Sequence, residues 1–328
     1  MASVTDFWAQ RKGASRQVSR ASKSRHRIVF SGVRMKHAIL GTGAIGGLIG
    51  TVLGSLGEDV TVVVRAEKLP SYPPNLTLER PSGVITAPAR AVAALAEPVD
   101  VLWIATKTYQ LQTALEVVRT SPGSVVPLLN GVDHVAVLRE RFGSERVVPG
   151  TIAVEAERLA PGRFIQRSPF VRFNLAGNGE SLLGGIVARL GELGFACKFI
   201  PNEETLLWGK LCFLGPLALA TSASGMTVGE ILADAVWKSK LISAIREACA
   251  VANASGAEVD AAQIQALVEG SPAGMRSSMQ KDVAAGRQLE LDAIGGPIVR
   301  GGERHGIGVS TTAALIAVIR PKVSEHHA

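Results

Sequence analysis

The residues of this sequence that could do chemistry are a glycine-rich turn near the front and a few charged or hydroxyl side chains behind it. Gly41-Thr42-Gly43-Ala44-Ile45-Gly46 has a spacing in which each glycine has a task. The first permits a tight turn, the second lets backbone approach a phosphate, and the third lets a helix pack close to a strand. The amides of that helix would then face an anion. Arg65 offers a guanidinium for charge-assisted bonds to a phosphate. Lys107 and Asn130 each follow an apolar run, where a polar group either reaches a ligand or caps a turn. Lys210 stands among apolar neighbours in Trp208-Gly209-Lys210-Leu211. A lysine that loses solvent in a cleft can protonate a developing alkoxide; the ordinary alternative is a surface lysine that snorkels. Ser278 supplies a hydroxyl and Glu290 a carboxylate. In one continuous helix these two would lie about 18 Å apart, too far for one small substrate. A break at Gly286 is therefore required if both serve one site; otherwise Ser278 caps a helix and Glu290 is a first-turn acid.

The elements that must position these groups are legible in the apolar pattern. Residues 36–40 read as a short strand entering the glycine turn, followed by a helix to about Ser55 and a second strand over 60–64. Strand, turn, helix and strand in that order make the fingerprint specific for a dinucleotide. Where the second strand ends, an acid would accept from a ribose 2′-hydroxyl. Arg65 stands there instead and favours a 2′-phosphate, so the expected cofactor is NADP(H), a solvated surface arginine being the alternative. The runs 99–105 and 124–129 add two buried strands and place Lys107 and Asn130 at their carboxyl ends, beside the position of a nicotinamide. Beyond about Pro201 the pattern turns helical, over 203–213, 233–254, 261–269 and 289–304. The fold class expected is α/β, a Rossmann-type parallel-sheet domain followed by an all-helical C-terminal domain. The expected division is a basic, unstructured extension over 1–34, an NADP-binding domain over 35–201 and a helical substrate and catalytic domain over 202–328.

Composition removes other classes of function. Of the 35 Lys and Arg and 28 Asp and Glu in the 328 residues, the first 34 positions hold eight of the former and only Asp6 of the latter. The remaining 27 of each cancel, so the formal charge of +7 belongs to a tail and no nucleic-acid partner is expected. That tail is Arg- and Ser-rich without an apolar core, which excludes a secretory signal. It reads as an extension without a role, as a start assigned upstream of Met35, or as a targeting segment. Cys197, Cys212 and Cys249 are odd in number and lack metal spacing. They read as buried thiols of a reducing compartment, with no metal and a cytoplasmic location. The uncharged run 211–229 is long enough to span a membrane, but its Gly, Pro, Ser and Thr content reads as a buried core helix and a turn, so no membrane partner is expected. A small-molecule partner remains, and a homodimer is left open.

Together these motifs resemble the ketopantoate reductase (2-dehydropantoate 2-reductase) family. The resemblance covers about residues 35–320. It rests on GTGAIGG, Arg65, Lys107, Asn130-Gly131, Trp208-x-Lys210, SSMQKDVAAGRQLELD and HGIGV, taken in order. It implies NADPH-dependent reduction of a 2-oxo acid to a 2-hydroxy acid, ketopantoate to pantoate in pantothenate biosynthesis. Lys210 would match the general acid, Glu290 the carboxylate engaging substrate and lysine, and Ser278 a substrate contact. Asn130 and Lys107 would be contacts at the nicotinamide end. The sequence departs from the family where asparagines usually follow the lysine by one and two helical turns; Leu214 and Ala218 stand there. Ser310 also replaces the usual proline after GIxV. Two apolar groups in place of amides favour a less polar carbonyl substrate as the alternative. A non-catalytic NADP-binding sensor is the second alternative.

Overall fold

The structure, a computed structural model, describes residues 34–321, so the extension expected over 1–34 lies outside the described residues except for Arg34. The chain opens with β1 (Lys36–Leu40), whose residues after Lys36 are all buried. The glycine turn leads into α1 (Ala44–Ser55), and β2 (Asp59–Val63) returns parallel to β1 with Ile39 opposite Val62. A hairpin of β3 (Asn75–Arg80) and β4 (Gly83–Pro88) follows, then β5 (Arg90–Val92), β6 (Val101–Ile104), the short α2 (Leu111–Leu115) and β7 (Ser124–Pro127). Strands 5, 2, 1, 6 and 7 lie in that order in one parallel sheet. The chain leaves β1 for β2 on one side and resumes with β6 on the other, a switch point that opens a crevice at the carboxyl ends of β1 and β6.

After α3 (His134–Phe142) the chain builds two further sheets that the sequence reading did not anticipate. β8 (Gly150–Ala153), β9 (Ala156–Ala160), β10 (Arg163–Gln166) and β11 (Val171–Ala176) are followed by α4 (Glu180–Glu192) and β12 (Phe195–Ile200). β9, β10, β3 and β4 form a four-stranded sheet, and β8, β11 and β12 a three-stranded one. The four-stranded sheet lies over α1, where a Cβ on Gly47 would meet the Phe164 ring at 2.1 Å. On its other side α1 rests on β1, with the Gly50 position 3.2 Å from Ile39. A helix clamped between two sheets has no wet face, which is why α1 is small and apolar all round.

The second half is helical, as expected. α5 (Glu203–Ser224) begins at Asn202, whose side chain accepts from the Thr205 amide at 2.8 Å, and ends at Gly225 in the left-handed region. The helical pattern read over 203–213 and the buried core helix read within 211–229 are one continuous helix, which passes straight through Pro216 because sixteen of its residues are buried. It is long and apolar enough to cross a membrane, yet 89% of its apolar window is packed inside the protein. The helix expected over 233–254 is α7 (Ala235–Ala254), capped by Asp234, which accepts from the Val236 and Trp237 amides; a short helix that was not expected, α6 (Val228–Ala233), precedes it. α8 (Ala261–Glu269), α9 (Ser278–Ala284), α10 (Leu291–His305) and α11 (Ser310–Ile319) complete the described chain. Cys212 and Cys249 are buried and Cys197 is half-buried, and the three are free thiols.

Candidate active site

The crevice at the switch point is built from the glycine turn outward. Gly41 has a φ of +98°, and a Cβ there would stand 2.7 Å from the backbone of Ala105 and Thr106, just past β6. Only glycine lets the ends of β1 and β6 close on each other. Gly46 would collide with the Gly41 carbonyl at 2.0 Å, so α1 sits on the turn as the fingerprint requires. Gly43, in contrast, has open space around its Cβ position and caps α1 with no side chain of its own. The first turn of α1, with Ala44, Ile45 and Gly46, holds no acid, and Thr42 lies in the same loop. Free amides, an open approach and no negative charge fit a dinucleotide pyrophosphate. Arg65 follows β2 by two residues, is exposed, and forms no ion pair among the described residues.

Opposite the turn, three loops meet on one carboxylate. Glu290 caps α10 and is 6% exposed, but its side chain does not cap the helix. Its Oε2 accepts from Lys107 Nζ at 3.0 Å and from Asn130 Nδ2 at 3.2 Å. Its Oε1 accepts from the Thr108 amide at 3.1 Å and from the Thr108 hydroxyl at 3.2 Å. Lys107 also donates to Asp282 at 3.1 Å, and Arg287 donates to the other oxygen of Asp282 at 2.7 Å. Burial works against the Lys107 ammonium, but Glu290 and Asp282 outweigh it and its pKa is raised. The chain reaches this arrangement because α9 ends at Ala284 and Gly286 turns in the left-handed region before Glu290, the break that a shared site requires.

Lys210 comes from the middle of α5. Burial pushes its ammonium down to about 8, and Glu290 is the charge that opposes the fall. Among the described residues its Nζ has no hydrogen-bond partner. A lysine with this pKa holds its proton at neutral pH and gives it up readily, the property of a general acid. The structure thus gathers Lys107, Asn130, Glu290 and Lys210. It leaves Ser278 exposed and, among the described residues, without a hydrogen-bond partner on the first turn of α9; the cap of that helix is Ser277, which accepts from the Gln280 amide at 3.0 Å. Leu214 is half-buried one turn after Lys210, and Ala218 is 0% exposed in a core with Met279 and Ile294. Thr108, Asp282 and Arg287 were missed in the sequence. Asp282 carried a signal, an acid one helical turn after Ser278; Thr108 carried none beyond adjacency to Lys107.

Two family models match the chain. Residues 37–176 match "Ketopantoate reductase PanE/ApbA" and residues 202–323 match its C-terminal part. The chain belongs to the ketopantoate reductase family. Among ketopantoate reductase relatives, the 2-dehydropantoate 2-reductase of Caulobacter vibrioides is 31% identical over 294 residues, covering 86% of this chain and 97% of that protein. The enzyme of the same name from Archaeoglobus fulgidus is 25% identical over 86% of this chain and 96% of its own length. Among solved structures, a PanE/ApbA family ketopantoate reductase from Ralstonia eutropha aligns with a TM-score of 0.79, 24% identity, and coverage of 90% of this chain and 100% of that one. A D-mandelate dehydrogenase solved with NADH and anilino(oxo)acetate aligns with a TM-score of 0.78 at 21% identity over 90% and 100%. These likenesses establish the α/β fold with its helical second half. The family is one of oxidoreductases acting between CH–OH and C=O groups, and its cofactor is NADPH.

Proposed function

We propose that this chain reduces a 2-oxo acid to the 2-hydroxy acid with NADPH, as a 2-dehydropantoate 2-reductase of pantothenate biosynthesis in the cytoplasm. In this reading residues 35–201 hold the cofactor and 202–328 carry the catalytic groups. Gly41 to Gly46 would cradle the pyrophosphate and Arg65 the 2′-phosphate, with Lys107 and Asn130 at the nicotinamide end. NADPH supplies, when bound, the hydride that the carbonyl carbon receives. Lys210 protonates the carbonyl oxygen. Glu290 keeps Lys210 charged until that moment and is itself held in place by Lys107, Asn130 and Thr108. Ser278 offers its free hydroxyl to the substrate carboxylate.

The observation that carries the reading is the Lys210 ammonium in the middle of α5, which has no hydrogen-bond partner among the described residues and which burial holds down to about 8 against the pull of Glu290. Its test is the loss of reduced-nicotinamide absorbance when ketopantoate is offered beside a panel of less polar 2-oxo acids. Turnover of ketopantoate supports the pathway role. Leu214 favours a second reading, because a half-buried leucine one turn beyond the proton donor meets an apolar substituent better than a hydroxyl. The anilino(oxo)acetate held by the D-mandelate dehydrogenase neighbour carries an aryl group beside a carbonyl and a carboxylate, the shape of an apolar 2-oxo acid. Turnover of aryl or alkyl 2-oxo acids alone would select it, and NADPH binding with no turnover would leave a sensor.

A further inference from the structure

Behind the proposed proton donor lies a group that the reading above does not use. His134, the first residue of α3, is 2% exposed, and neither ring nitrogen has a hydrogen-bond partner among the described residues. A buried imidazole with both nitrogens unpaired carries a desolvation penalty that nothing offsets, so it calls for an explanation.

The packing supplies one. α3 meets the first half of α5, and three observations tie them together. Arg139 donates to Glu203 at 2.7 Å, Val135 and Leu138 share one core cluster with Leu207, and His134 comes within electrostatic reach of Lys210. Positions 203, 207 and 210 ascend α5 at helical spacing while 139, 138 and 134 descend α3, so the two helices run antiparallel and the contacts fall in register. Among the described residues, Lys210 is the ionisable group acting on His134, and Glu290 the one acting on Lys210. Burial first, and then Lys210, hold the imidazole down to about 4, so at neutral pH one ring nitrogen keeps a lone pair. An ammonium without an acceptor therefore lies within electrostatic reach of an imidazole without a donor, and the flexible lysine stem lets the two meet.

We propose that His134 is a positioning residue for Lys210: its neutral ring accepts a hydrogen bond from the lysine ammonium and holds that ammonium charged and aimed at the crevice when no carbonyl is bound. No proton passes to the ring, and the lysine turns to the substrate oxygen when one arrives. The inference rests on Lys210 being the proton donor, but its main readout does not require turnover.

The test follows acetic anhydride labelling of Lys210 against pH in the whole protein, read by mass spectrometry, with kcat and KM measured alongside. In H134L the ammonium loses its acceptor, so the Lys210 pKa falls by about one unit and labelling at pH 7 rises about fivefold. The kcat falls by about tenfold while KM for NADPH is unchanged, and H134Q, which keeps an accepting oxygen, recovers most of both. A labelling curve in H134L that superimposes on the parent overturns the proposal, whatever the activity; so does an H134Q no better than H134L. Should H134L fail to fold, the ring 15N shifts of His134 in the parent and in K210M decide the matter. An unchanged shift overturns the proposal, and a shift towards an unpaired nitrogen in K210M supports it. If no carbonyl is reduced at all, the proposed function fails while the labelling curve still judges His134.

Discussion

Lys107 and Glu290 stand 183 positions apart in the chain and meet at 3.0 Å. One follows the central parallel sheet and the other opens a helix of the second half, so the ion pair fastens the two halves across the crevice. Glu290 is nearly buried while Lys107 keeps 38% of its side chain exposed, so solvent screens the pair and its main effect is on geometry rather than stability.

Replacing Glu290 by Gln removes the charge that raises the Lys210 pKa. The alkaline limb of the kcat/KM profile, placed near 8 by Lys210, is expected to move to lower pH. The rate at pH 7 should fall by about tenfold or more. A pH–rate profile of E290Q with an unmoved alkaline limb would separate the two groups.

Lys210→Ala should lower kcat by at least about a hundredfold, the scale of a lost general acid. On the proposed mechanism, in which protonated lysine is the active form for reduction, the parent should lose activity as pH rises through about 8. NADPH affinity, measured by fluorescence quenching, should be unaffected. Unchanged turnover would remove Lys210 from the chemistry.

For Arg65→Ala, the NADPH dissociation constant should rise by about ten- to a hundredfold, the worth of a charge-assisted bond to phosphate, with the NADH constant hardly moved. Titration with both cofactors checks this. Equal losses for the two would show that Arg65 does not read the 2′-phosphate.

Gly131 follows Asn130 with a φ of +83°, and a Cβ there would come within 2.3 Å of the Ala293 carbonyl on α10. Gly131→Ala must push the Asn130 loop away from the helix that Glu290 caps. Stability should fall by about 2 kcal/mol or more by denaturant titration, from the strained backbone and the overlap together. Turnover should fall with it.

Acid sensitivity follows from two buried imidazoles. Burial holds His37 and His134 down to about 4, against 6.5 for a solvated histidine. Between those values the unfolded chain binds protons that the folded one refuses, so stability is complete above about 6.5 and is lost as pH falls towards 4. Each histidine contributes on the order of 3 kcal/mol to that slope. For His37 the tautomer is set as well, since Trp103 donates to its Nδ1 at 3.1 Å. Denaturant midpoints at pH 7 and pH 5 measure the slope, and a flat profile would refute the assignment.

The front of the fold was readable because local signals agreed there. β1 and β7 begin at the expected residues, and the glycine turn lies between β1 and α1 as expected. The four-stranded sheet was not read, although Leu76 and Leu78 alternate with Thr77 and Glu79 in β3. Two buried positions are too short a period to stand out from a loop, and the partner strand β10 lies about ninety residues on. The helix α5 was read in two pieces because Gly215 and Pro216 speak locally for a break, whereas burial on every side decides otherwise. At the site, residue type identified Lys210 and Glu290 as candidates, and the family resemblance chose among the roles open to them. Thr108 joins the site only through contacts between distant segments, which no local pattern encodes.

The clamp on α1 leaves the protein little freedom in its choice of nucleotide. With one sheet 2.1 Å from where a Gly47 side chain would begin and another against Gly50, the helix cannot shift to suit a different occupant. On the proposed reading, selectivity falls to the rim, where Arg65 is exposed. A laboratory or a lineage that needed the other nicotinamide coenzyme could rewrite that single exposed position and leave the interior untouched.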